Sequence, residues 1–365
     1  MKLKVARGPA VNALQKIQAI ISPRTTLPIL NNVLLETADG SLKITATDLD
    51  VTVTARVQAE VVRAGATTVP AKHIISILRA LPAEELQLEV DTKNNTTIRS
   101  GSSYFRIIGI PKDDFPPPPE IAEEKSYTLE QGNFRRLLEL TSYAAASSDE
   151  GRAVLTGVLL SFKGDKLTVV ATDGRRLALR EAEMEIPRGS EAEMVVPIKT
   201  IQELQKTLGD EGDILIRAGR NQVAFEFGDT LVLSKLLEGT YPNYRQVIPA
   251  ASDKRVVLER EMFLDALRRA AIVASGQAPS VKLDFARNRL EISAENRDIG
   301  EARESMAAKY SGEDVSIAFN PLFLIEPLSA LDTDEVILEL TDELSPGVIK
   351  TTEAFLYVLM PVRLA

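Results

Sequence analysis

The sequence has no cysteine, no tryptophan and a single histidine, His73, in 365 residues. The missing cysteine excludes disulfides, thiol nucleophiles and Cys-ligated zinc or iron–sulfur clusters. One histidine excludes a multi-His metal site and leaves a single candidate base for a Ser-His-Asp arrangement. His73 opens a helix pattern and reads as a surface residue. Long apolar runs are also missing. Nothing is long enough to span a bilayer, and the N-terminus has no continuous apolar stretch of signal-peptide length, so a cytoplasmic location is the expectation. The usual phosphate cradles are absent: there is no GxxxxGK followed by Ser or Thr, no GxGxxG after a strand, and no GxSxG elbow.

What is present is an apolar share of 44%, ample for packed cores, and an acidic balance of 43 basic against 52 acidic residues, net −9. Taken alone, that balance argues against a nucleic-acid partner.

The chain repeats itself three times. KLKVARGPAVNALQKIQAI from Lys2, SYTLEQGNFRRLLELTSYA from Ser126 and RVVLEREMFLDALRRAAIV from Arg255 each read as a short strand followed by an amphipathic helix. Period-two strands with tight turns follow, as at Asp39-Gly40 and Gly164-Asp165. A strand–helix–strand stretch closes each copy, with Pro70, Pro197 and Asn320-Pro321 at the helix starts. Pro327 predicts a break or kink in the last of these helices. Ala46 to Ala171 spans 125 residues and Ala171 to Ala294 spans 123, so three units fill the chain. The expected architecture is α+β, each unit made of two strand–helix–three-strand halves, with boundaries at 1–121, 122–250 and 251–365. Pro116 to Pro119 form a stiff connector at the first joint.

Paired carboxylates are the one enzyme-like feature. Asp48 with Asp50, and Asp332 with Asp334, have the spacing of a magnesium site for phosphoryl chemistry, and Asp173 recurs in the same Thr-Asp context as Asp48. Turn and strand-end aspartates also bond their own backbone, which is the structural alternative.

Charge is unevenly distributed. The six helical stretches carry a net +7, which leaves −16 on the rest of a chain of net −9. A basic helical face on an acidic body suits sequence-independent, salt-sensitive contact with phosphates. A unit of this length is about 35 Å across, from a radius of gyration of roughly 13–14 Å. Three such spheres in a ring leave a hole of only about 5 Å, and six leave about 35 Å, against a duplex about 20 Å wide. One chain cannot close around DNA; two can.

The motifs RTTLPIL at Arg24, ATDLD at Ala46, TTVPAK at Thr67, FRIIGIPKDDFP at Phe105, ATDGRRLAL at Ala171, SKLLEGTYPNYRQVIP at Ser234, RRAAIVAS at Arg268, AFNP at Ala318 and YVLMPVRL at Tyr357 resemble those of the bacterial sliding clamps, the beta subunits of DNA polymerase III. The resemblance runs the whole length. It implies a non-enzymatic protein without cofactor or metal. It implies a homodimeric head-to-tail ring with helices lining the hole and sheets outside. It implies sliding on double-stranded DNA without sequence preference. The implied partners are the DNA polymerase III alpha subunit, a clamp-loader ATPase complex and other proteins carrying short hydrophobic peptides.

Carried over by motif, the peptide-binding residues are Leu155, Thr172, Gly174, Arg175, Arg176, Leu177, Pro242, Val247, Leu344, Pro346, Val358, Met360, Pro361, Val362 and Arg363. Arg24, Lys72, Arg152 and Lys199 match DNA-facing positions. Phe105 and Ile107 are expected to meet Ile272 and Val273 at the dimer interface, with Glu301 and Glu304 pairing with arginines there. Arg175 stands where His is common in the family, and Gln246 replaces a basic residue. The competing readings are a carboxylate-dependent nuclease or phosphatase, and a protein-interaction hub that does not touch DNA.

Overall fold

The computed structural model describes residues 1–21, 27–119, 121–122, 125–147, 152–274, 276 and 279–363. Among them, six α-helices and 24 strands occur in an order that repeats three times: strand, helix, three strands, then strand, helix, three strands again. The fold is α+β, built from three similar domains of two such halves each.

The helices are α1 (Arg7–Ile17), α2 (Ala71–Ala80), α3 (Gln131–Glu139), α4 (Ile198–Thr207), α5 (Arg260–Val273) and α6 (Pro321–Ala330). Each packs one apolar stripe. In α1 it is Ala10, Ala13, Leu14 and Ile17, and in α2 Ala71, Ile74, Ile75 and Leu78. Both stripes have the i, i+3, i+4, i+7 spacing that gathers side chains on one face. Glu259 caps α5 by accepting from the amides of Glu261 at 3.1 Å and Met262 at 2.8 Å. Asn320 caps α6 by accepting from Leu322 N–H at 3.0 Å. The break expected at Pro327 does not occur: α6 continues to Ala330. Pro327 is buried beside Leu324 and Leu328, and that packing offsets the hydrogen bond the proline cannot donate.

The chain divides into two compact units. Residues Met1–Arg135 and Gln202–Leu236 form one, and residues Arg136–Ile201 and Leu237–Ala365 form the other. The first holds a twelve-stranded antiparallel sheet with strand Ser103–Ile108 at one edge. The second holds an eight-stranded sheet and a four-stranded sheet, the latter edged by Gly300–Ala307.

Within each unit, a sheet runs across the junction between two repeats. In the first unit, strand Val51–Arg63 pairs with Thr230–Lys235, Val53 opposite Val232. In the second, Arg176–Glu183 pairs with Phe355–Leu359, Ala178 opposite Tyr357. The fourth strand of one repeat thus takes the eighth strand of the next. No helix among the described residues is long and apolar enough to cross a membrane.

Candidate functional site

The most elaborate surface of the second unit lies at its sheet junction. The turn before strand Arg176–Glu183 is fixed by its own side chains. Asp173 Oδ1 accepts from the amides of Arg175 at 2.8 Å and Arg176 at 3.0 Å. Thr172 Oγ1 donates to the Arg176 carbonyl at 2.6 Å and accepts from Gly174 N–H at 3.1 Å. Gly174 has φ of +86°, and a Cβ there would meet nothing within 4 Å, so the turn opens directly onto space. The left-handed backbone favours glycine at this point.

The same turn occurs in the first unit. Asp48 Oδ1 accepts from Asp50 N–H at 3.0 Å and Val51 N–H at 2.8 Å, and Leu49 holds φ of 78°. The repeated Asp is therefore a turn-maker, its Oδ1 committed to two backbone amides. Asp332 pairs with Arg136 at 2.8 Å, and the Asp334 carbonyl accepts from Arg260 N–H at 2.8 Å. Among the described residues, no group of three or more His, Asp or Glu side chains is placed to hold a metal ion.

Beside the Gly174 turn is an apolar cavity of about 190 Å³. Its floor continues a buried cluster that includes Leu177, Val195, Tyr244, Val348 and Val358. Ten of the fifteen residues expected to bind peptide line it: Leu155, Thr172, Gly174, Arg175, Arg176, Leu177, Pro242, Val247, Val358 and Met360. Val247 and Met360 are about half exposed at its mouth. The other five lie outside the lining. Leu344 is 58% exposed in a turn held by Asp342, and Pro346 follows it half-buried. Pro361 and Val362 are half-buried and Arg363 exposed, with Val362 N–H donating to the Ala318 carbonyl at 2.8 Å.

Asn243 and Tyr244 line the cavity without having been expected to, although the YPNYRQ motif contains both. Burial raises the Tyr244 phenol pKa. Arg152, expected at DNA, also lines this cavity. A second, more polar chamber of about 490 Å³ adjoins it through Arg152, Leu155, Gly174, Arg175 and Arg176, and adds Asp173 and Phe323. An apolar slot with exposed aliphatic rims and flanking guanidinium groups suits an apolar peptide anchor.

The helical cations fall into two classes. Among the described residues, Arg7, Lys16, Lys72 and Arg79 of α1 and α2 make no ion pair. Lys16 donates to Thr230 Oγ1 at 3.1 Å and Arg79 to Gln18 Oε1 at 2.9 Å. Lys72 is exposed in the first turn of α2, and Lys199 is exposed in the first turn of α4. Arg24 lies outside the described residues. On α5, by contrast, acids answer the cations. Arg269 binds Glu304 through two hydrogen bonds, at 2.9 and 2.8 Å, and Arg268 lies 3.5 Å from Asp265. The Arg269 hydrogen bond holds the Glu304 carboxyl below its ordinary pKa. Helix α6 has Glu326 and no base.

On the edge strand Ser103–Ile108, Tyr104, Phe105 and Ile108 are exposed. Ile107, expected at the interface, is only 8% exposed and packs in the chain's own core. Ile272 is 72% exposed near the end of α5, and Val273 is half-buried. Glu301 lies 3.2 Å from Arg303, and Arg106 lies 3.3 Å from Asp91.

Family models for the N-terminal, central and C-terminal domains of the DNA polymerase III beta subunit match residues 1–119, 128–243 and 245–363. The chain belongs to the DNA polymerase III beta subunit family. It is 35% identical over 364 residues to the beta sliding clamp of Chlamydia pneumoniae, covering 100% of this chain and 99% of that one. It is also 35% identical over 371 residues to the beta sliding clamp of Escherichia coli K12, with 100% of both covered. The DNA polymerase sliding clamp of Bacillus subtilis superposes with a TM-score of 0.95 at 29% identity, covering 100% of both chains. A DnaN sliding clamp of Bartonella birtlesii, solved bound to griselimycin, superposes with a TM-score of 0.95 at 33% identity over 100% of both chains. The family's function is that of a sliding clamp in DNA replication, and it is not catalytic.

Proposed function

We propose that two copies of this chain close head to tail into a ring around duplex DNA, with the helices inward and the sheets outside. The ring tethers the DNA polymerase III alpha subunit and other proteins through short apolar peptides seated in the Leu155–Leu177–Met360 cavity. Repeat logic is the observation that carries the ring. Two of the three fourth strands already take an eighth strand, at Val53–Val232 and Ala178–Tyr357. What is left is one open fourth strand, Gly300–Ala307, and one open eighth strand, Ser103–Ile108, each at a sheet edge. Open edges of this kind recruit a strand from another chain.

The register follows from the same logic. Val53 and Ala178 lie opposite Ala46 and Ala171 in their own hairpins, and Ala302 lies opposite Ala294. Val232 and Tyr357 are each the third residue of their strand, and the third residue of Ser103–Ile108 is Phe105. Phe105 of one chain therefore faces Ala302 of the other. Antiparallel pairing then sets Arg106 opposite Glu301 and Tyr104 opposite Arg303, opposite charges in the first pair and a cation over a ring in the second.

DNA contact falls to unpaired cations on α1 and α2, Lys72 foremost, together with Arg24 and Lys199. Arg152, within the cavity lining, belongs more naturally to the peptide site. A clamp-loader ATPase, the partner the family resemblance implies, opens and closes the ring. The cytoplasm is where such a ring meets replicating DNA. Topology rather than affinity then supplies processivity, because escape requires the ring to open.

The chain has no native cysteine, so a pair placed at the joint reads cleanly. Phe105→Cys with Ala302→Cys, oxidised in solution, should give a doubly cross-linked dimer. A dimer by mass that never cross-links contradicts this joint.

A further inference from the structure

Arg176 is the one guanidinium of the peptide cavity turned inward. Its side chain is 8% exposed. Nε donates to Asp173 Oδ2 at 3.1 Å, Nη2 to the Tyr143 carbonyl at 2.6 Å, and Nη1 to Glu326 Oε2. The Phe323 ring lies beneath the guanidinium, 4.4 Å from carbon to centroid. Burial disfavours the charge, but Tyr357, Glu326 and Asp173 outweigh it and raise the Arg176 pKa. Asp173 spends its other oxygen on the amides of Arg175 and Arg176, so it supplies only one acceptor to the guanidinium. Glu326 therefore supplies the second carboxylate from α6, 150 positions along the chain.

Arg152 and Arg175 differ from Arg176. Both are exposed, both line the two adjoining chambers, and among the described residues neither makes an ion pair. The cavity thus has two cations available to a ligand and one that is already neutralised.

We propose that Glu326 is a positioning residue of the peptide site: it holds the Arg176 guanidinium against α6 and Phe323, and so sets how much positive charge the polar chamber presents to a bound peptide. The proposal rests on reading this cavity as the peptide site. With Glu326 in place, Arg152 and Arg175 read the peptide's charge and Arg176 acts as wall. Without the Glu326 charge, Arg176 keeps Asp173 and the Tyr143 carbonyl but loses one of its two carboxylates, so the chamber's net positive charge rises and the site gains preference for an acidic peptide. Glu326 is itself 39% exposed, so its replacement leaves no large void.

Two labelled peptides test this in the full chain. One has apolar anchor residues separated by a neutral polar residue; the other has aspartate in place of that neutral residue. Glu326→Gln should raise the ratio of affinities, acidic over neutral, by about three- to tenfold. Glu326→Asp, which keeps the charge, should leave the ratio at its starting value. Arg176→Met added to Glu326→Gln should return the ratio to that value. An unchanged ratio in Glu326→Gln overturns the proposal, whether both affinities fall together or neither moves. Deletion of Met360 to Ala365 separates the two readings. If neither peptide responds to that deletion, the peptide-site reading fails. If both respond while the Glu326→Gln ratio stays flat, only the role of Glu326 fails.

Discussion

The amide of Met360 donates to the carbonyl of Arg175 at 2.9 Å, and this bond ties the C-terminal strand's end to the rim of the apolar cavity. Its counterpart in the first unit, Lys235 N–H to the Asp50 carbonyl at 3.0 Å, is followed by an ion pair between the same two side chains at 2.9 Å. The two junctions share a backbone scaffold. One carries an ion pair at this point, and the other places Met360, Val247 and Gly174 facing solvent. Deleting Met360 to Ala365 should therefore weaken apolar-peptide binding at least about tenfold, as loss of a central anchor does. The chain should remain a dimer, because Phe105 and Ala302 are untouched. Fluorescence anisotropy and sedimentation read the two outcomes side by side.

The two classes of helical cation predict different salt behaviour. Lys72→Ala with Arg79→Ala should flatten the dependence of DNA affinity on salt, by about one unit of log–log slope for each phosphate that is no longer neutralised. Arg268→Ala, whose cation already faces Asp265, should leave that slope unchanged. Titrations of a short duplex at several salt concentrations decide the matter. Equal effects from both variants would show that pairing on α5 does not shield it.

Alkaline pH should loosen the second unit. Burial raises the phenol pKa values of Tyr143, Tyr241 and Tyr357, with Tyr143 also opposed by neighbouring Tyr357. An unfolded tyrosine ionises near pH ~10. The folded forms hold their protons longer, so the stability they contribute is complete below that pH. It is lost as pH climbs from there toward the folded pKa values. Among the described residues, the buried Tyr143 hydroxyl has no hydrogen-bond partner. Tyr143→Phe should therefore cost little at neutral pH and make the alkaline decline shallower, as read from urea midpoints at neutral and alkaline pH.

The repeats, the two halves of each, and the helix starts at Pro70, Pro197 and Asn320 were all legible in the sequence, because local periodicity and capping fix them. The Thr172–Leu177 side of the cavity came from the family resemblance instead, through one contiguous motif of which five residues line the cavity. The partners of those residues were not legible. Glu326 reaches Arg176 only through the fold, and Glu304 reaches Arg269 from a strand 35 positions away. Counting charge along helices therefore overstates how basic α5 is. The burial of Ile107 was hidden for a different reason. Alternation puts it on the same face as Phe105, but alternation does not say that this face turns into the chain's own core at the strand's end. Pro327 shows a local rule yielding to tertiary packing, since α6 stays helical around a buried proline.

The central claim is a ring held on DNA by topology, and retention on circular against linear DNA tests it most directly. Clamps loaded onto a nicked circle by the loader complex should stay through gel filtration at salt high enough to break phosphate contacts. Cutting the circle once should release them. Equal retention on the circle and the cut form would contradict encirclement.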